Sequence, residues 1–115
     1  MIKNSIGQKN QPLDAIVEII SSLNRRFPNG NEIFQRVSRL SEETGELAKA
    51  VNHRENMGIK SQKHGEPIDR ELVKEALDVM GAAIDIVLHY DLLDEFRDAL
   101  QERYQAHEAE NFYKS

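Results

Sequence analysis

The chain has 115 residues, with 15 basic against 20 acidic side chains for a net charge of −5, and it has no cysteine and no tryptophan. That length holds one domain, and the missing cysteines exclude disulfides, thiolate zinc sites and thiol catalysis. A charged fraction of 30 % beside a hydrophobic fraction of 39 % suits a small helical domain. The net negative charge speaks against DNA or RNA polymers as partners.

Residues 1–12 are polar and without an apolar core, so they read as a flexible tail and not as a secretory signal. The longest apolar stretch, Val79 to Leu88, is interrupted by Asp85 and too short to cross a bilayer. The expected location is cytoplasmic, with no membrane partner. Leu13, Ile16, Val17, Ile20, Leu23 and Phe27 then recur at helical spacing, and Pro28-Asn29-Gly30 ends that helix. Asn31 is the expected N-cap of a second helix reaching about His53, whose seam is Ile33, Val37, Leu40, Thr44, Leu47 and Val51. Phe27 and Phe34 read as core.

Residues 54–68 carry glycines, a proline and no periodicity, and read as a loop longer than helical connections usually are. Its cations Arg54, Lys60 and Lys63 are candidates for clamping phosphates, against the plainer role of solvated charge. Asp69 is the expected cap of a third helix to about Tyr90. Asp91 with Asp94 reads as a capping arrangement for a fourth helix, carried by Leu93, Phe96, Leu100 and Tyr104 and fraying before the C-terminus. No strand alternation persists anywhere. The expectation is an all-α, four-helix bundle-like single domain, with apolar arcs wide enough to demand partners without fixing their number.

The acids are unevenly placed. On the third helix Glu71, Glu75, Asp78, Ala82, Asp85 and His89 share one narrow stripe, at about 100° per residue. A solvated helix face is the ordinary meaning of such a stripe. Yet it holds no Lys or Arg, and Glu71/Glu75 is a like-charge pair at i,i+4. On the second helix Glu43 stands at the edge of the seam, with Glu46 one turn later. If the two helices pack antiparallel, Glu43, Glu46, Glu75 and Asp78 converge into an all-oxygen site suited to Mg²⁺ or Mn²⁺. A di-iron carboxylate centre is disfavoured, because the downstream members are Glu46 and Asp78 where such centres use histidine.

Glu42-Glu43-Thr44-Gly45-Glu46-Leu47 followed by Glu75-Ala76-Leu77-Asp78 resembles the Glu-Glu-x-x-Glu … Glu-x-x-Asp signature of the MazG-like, all-α nucleoside triphosphate pyrophosphohydrolases, which include the dimeric dUTPases. The resemblance covers roughly residues 31–90. It implies a four-helix fold, a homodimer or homotetramer, Mg²⁺ at Glu43, Glu46, Glu75 and Asp78, and cleavage of a nucleoside triphosphate between its α and β phosphates. Glu42 or Glu43 is then the candidate proton acceptor, and Asp85 a candidate contact for the ribose, with a plain salt bridge as its alternative. The rival to the enzyme is a non-catalytic helical dimerisation or regulatory module, which accounts for the seams and the acidity but not for two carboxylate pairs on facing helices.

Overall fold

The computed structural model describes residues 11–57 and 65–114. Four helices follow in chain order: α1 (Gln11–Arg26), α2 (Ile33–Met57), α3 (Gly65–His89) and α4 (Leu93–Lys114). All the described secondary structure is helical. Lys60, Lys63 and the N-terminal tail to residue 10 lie outside the described residues.

The termini follow local chemistry, at positions partly different from those expected. α1 starts at Gln11 with Pro12 in its first turn, where a missing N–H costs nothing. Asp14 near its start and Arg25 and Arg26 near its end all suit the helix dipole. The Asn31 amide donates to the Phe27 carbonyl at 2.7 Å, so Asn31 closes α1 and does not cap α2. The first α2 bond runs from Arg36 N–H to the Glu32 carbonyl, which makes Glu32 the residue at the cap. Gly30, at φ +77, supplies the backbone reversal between the two helices.

The described parts of the segment read as a loop, 54–57 and 65–68, are helix: α2 continues to Met57 and α3 starts at Gly65, which places Arg54 and Asp69 inside helices. The two are joined by an Arg54 Nε to Asp69 Oδ1 bond of 2.6 Å, so helix-to-helix pairing outweighs the weak local propensity there. Asp91 does not cap α4. It sits in the left-handed region at φ 57 and ends α3. Leu92 N–H reaches the Val87 carbonyl and Asp91 N–H the Leu88 carbonyl, both at 3.0 Å, the two bonds of a Schellman turn. α4 itself continues to Lys114, well past Tyr104.

α2 and α3 are antiparallel: Arg36 meets Asp85, and Arg54 meets Asp69. The face that α2 turns toward α3 is centred on Arg36, Glu43 and Ala50, spaced seven apart, with Arg36 9 % and Ala50 2 % exposed. Leu40 and Leu47 flank it, whereas Val37, Thr44 and Val51 are exposed, so the expected seam is rotated by part of a turn. The reason is the Arg36–Asp85 pair, whose side chains are 10 % and 4 % exposed. A buried charge must keep its partner, and that need overrides the apolar count. Asp85 also accepts from Asn24 Nδ2 of α1 at 2.9 Å and lies 3.4 Å from Arg39 Nη1.

α1 crosses α3 at Gly81, where a Cβ would stand 3.1 Å from Ile20 Cδ1, a tight contact that a larger residue would relieve only by shifting the Ile20 side chain a few tenths of an ångström. α4 packs lightly on α3 and is tied to α1 by an Arg97–Asp14 ion pair of 2.5 Å. Residues 98–111 are exposed throughout. The radius of gyration is 17.5 Å, against about 13 Å for a compact domain of this length. Phe27 and Phe34, expected in the core, are 59 % and 80 % exposed.

Replacing Arg36 with Met leaves Asp85 buried without its main partner and should cost about 3 kcal/mol in urea unfolding. The double variant Arg36→Met/Asp85→Leu should recover much of that loss. Asp91→Gly removes the left-handed penalty and should add about 1 kcal/mol by the same measurement.

Candidate metal centre

The α2 residue in the middle of the buried face is Glu43, and antiparallel pairing places it opposite Glu75 and Asp78 of α3. One carboxylate oxygen from each lies within 4.8 Å of the others. Glu75 and Asp78 are neighbours because i and i+3 adjoin on a helix surface. Glu43 joins them through the register of the helix pair. Glu75 is the most enclosed, with its side chain 12 % exposed, and its Oε1 is buried without a hydrogen-bond partner. A buried carboxylate oxygen left unpaired is costly, and a cation is one group able to satisfy it.

Electrostatics describe the same strain. Burial pushes the Glu43 carboxyl above its ordinary value, and the negative charges of Asp78, Glu75 and Glu46 add to that, with Lys74 opposing them. Lys74, one turn before Asp78, lies 2.9 Å from Asp78 Oδ2 and 3.8 Å from Glu75 Oε2. Its ammonium pKa is raised by the hydrogen bond to Asp78 and the surrounding acids. The acidic stripe thus borrows a cation from the solvent flank of its own helix.

The other expected site residues are distributed differently. Glu46 is directed to Lys49 at 3.7 Å and is half-exposed, outside the three-carboxylate group. Glu42 lies on the outer surface of α2, in a groove with Phe34, Gln35, Ser38 and Arg39. Glu71 faces His53 at 3.4 Å. Arg54 is held by Asp69, and their hydrogen bond raises its pKa. Asp85 forms the salt bridge already described.

Beside the carboxylates opens a cleft of about 510 Å³ between α1, α2 and α3. Ile16, Ile19, Ile20 and Leu23 of α1 with Phe27 just after it form an apolar wall, Gly81 and Ala82 of α3 a floor of small residues. Glu43 and Asp78 border one end, Asn24, Arg39 and Asp85 the other. Among the described residues Arg39 is the only basic one lining it. Its spacing of four before Glu43, which puts both on one side of α2, was the available sequence signal for Arg39.

Searches of protein-family models, of curated proteins and of solved structures find no match to this chain. The site is therefore read from its own chemistry.

Because the Glu43 carboxyl is raised in the folded state, the folded chain holds that proton more firmly than the unfolded chain. Without metal, its effect on stability is absent well below pH 4.5 and grows as pH rises through the folded pKa. Glu43→Gln should therefore melt higher than the wild type at neutral pH in EDTA, with the gap closing as pH falls toward 4.5. Equal melting temperatures at neutral pH would contradict this assignment of strain.

Proposed function

We propose that the chain is a metal-dependent hydrolase of nucleoside triphosphates, releasing the monophosphate and pyrophosphate, in the manner of the MazG-like pyrophosphohydrolases that its Glu42–Leu47 and Glu75–Asp78 segments resemble. The observation that carries the reading is the convergence of Glu43, Glu75 and Asp78 with one buried, unpartnered Glu75 oxygen, at the end of a half-apolar cleft. An all-oxygen set of this kind suits Mg²⁺ or Mn²⁺, and Mg²⁺ is satisfied by few carboxylates because it keeps several waters. Glu46 is not needed to complete it.

Glu43, Glu75 and Asp78 hold the cation. When bound, it supplies neutralisation of the polyphosphate charge and lowers the pKa of water at the site. The chain's own residues do the rest. Glu43, which borders the cleft, accepts the proton of the attacking water. The Lys74 ammonium, 68 % exposed and free to swing, gives up its place beside Asp78 as the phosphates arrive. The apolar wall of α1 shields the reacting end from bulk water.

The exposed stripe Val73, Leu77 and Met80, each more than half exposed, supports assembly as a homodimer or homotetramer. The same stripe favours the second reading, a helical dimerisation module without catalysis. Pyrophosphate release across a panel of nucleoside triphosphates with Mg²⁺ or Mn²⁺ separates the two. The expected result is turnover of at least one nucleotide, reduced roughly a hundredfold or more in Glu75→Gln and spared far better in Glu42→Gln. A panel left wholly intact under both metals would favour the module.

A further inference from the structure

The cleft has a chemical direction. Its acidic end is Glu43 and Asp78. Its other end lies at Asp85, seven residues further along α3, about 10 Å away. Between them lie Gly81 and Ala82 of α3, with Ile20 Cδ1 of α1 already close against Gly81, and the cleft-facing sides of Ile20 and Leu23 form the apolar wall.

At the Asp85 end two polar side chains are fixed from beneath. A carboxylate only accepts, so the Asn24 amide nitrogen must face Asp85 Oδ1, at 2.9 Å. That orientation leaves Asn24 Oδ1 as an acceptor, and no described residue donates to it. Arg39 spends one donor on Asp85 Oδ2 at 3.4 Å and one on the Gly30 carbonyl at 3.0 Å. The remaining guanidinium N–H groups, on a side chain 40 % exposed, border the cleft. Asp85 itself is 3 % exposed and neutralised mainly by Arg36, so it positions both side chains and is not offered to a ligand.

An oriented acceptor beside an oriented donor, an apolar wall, and a carboxylate-held cation site about 10 Å away match one kind of molecule. We infer that Asn24 and Arg39 form the base-reading end of the cleft: a nucleotide lies along α3 with its phosphates at Glu43 and Asp78, its base against Ile20 and Leu23, and the hydrogen-bonding edge of the base between Asn24 Oδ1 and the Arg39 guanidinium. This assignment rests on the hydrolase reading and deepens it. It places the determinants of base preference on α1 and the start of α2, outside the carboxylate segments.

Titration calorimetry in Mg²⁺ tests it, using α,β-methylene triphosphates of adenosine, guanosine, cytidine and uridine beside inorganic tripolyphosphate as a base-free probe. For Asn24→Ala and Arg39→Gln, each checked for folding by its melting curve, affinity for the preferred nucleotide should fall about three- to tenfold. Tripolyphosphate affinity should stay within about twofold of wild type, the scatter expected without a lost hydrogen bond. In Asn24→Ala the order of preference among the four bases should also change, which a merely structural role would not produce. An equal loss for tripolyphosphate, or unchanged nucleotide affinity and order, overturns the assignment while leaving the hydrolase reading standing. Failure of the wild type to bind either probe overturns both.

Discussion

The buried ion pair between Arg36 and Asp85 sets the register of the molecule. Two nearly enclosed charges from different helices must meet, because either alone would be strongly unfavourable inside the fold. Their meeting fixes how α2 slides and rotates on α3, and Asn24 brings α1 to the same point. Arg36 Nε also donates to the Asn31 carbonyl at 2.6 Å, so the turn before α2 is held by the same side chain. From that one constraint the position of Glu43, one heptad further along α2, follows directly.

The carboxylate group is the counterpart of that satisfied pair. Arg36 and Asp85 neutralise each other, whereas Glu43, Glu75 and Asp78 are brought together with, among the described residues, only an exposed lysine in reach. Folding thus stores local repulsion at one point of a helix interface whose other end is well paired. Such an uncompensated group is stable when a cation joins it, and this gives the proposed chemistry a physical origin in the packing. The apolar cleft beside it then separates the carboxylate end from the end bordered by Asn24, Arg39 and Asp85.

Much of this was legible without coordinates. Pro28 to Gly30 marked the break after α1, and the lack of persistent alternation excluded strands. Glu75 and Asp78 adjoin by helical spacing alone. The seam of α2 was misplaced because counting apolar residues gives Val37, Thr44 and Val51 the weight that Arg36 and Ala50 carry in the fold. An arginine in the centre of an interface is invisible to a hydrophobic pattern until its partner is known. The same blindness placed Phe27 and Phe34 inside, where periodicity cannot separate a buried apolar face from an uncovered one. Asp91 looked like a cap because aspartate favours both helix starts and left-handed ends, and the bonds from Asp91 and Leu92 back to α3 chose the second.

By itself the sequence determined the helical class, the main break points and the pairing of acids within each helix, since these depend on interactions over three or four residues. Only the tertiary structure decided which acids meet across helices. Glu42, Glu43 and Glu46 are equivalent in composition, yet Glu42 and Glu46 point about 100° and 60° away from Glu43 around α2. The depth and rotation at which Arg36 docks on Asp85 turned Glu43 inward, left Glu42 on the outer surface and sent Glu46 toward Lys49. The choice among three like charges was made by a fourth and a fifth residue, distant in the chain, that had to neutralise each other.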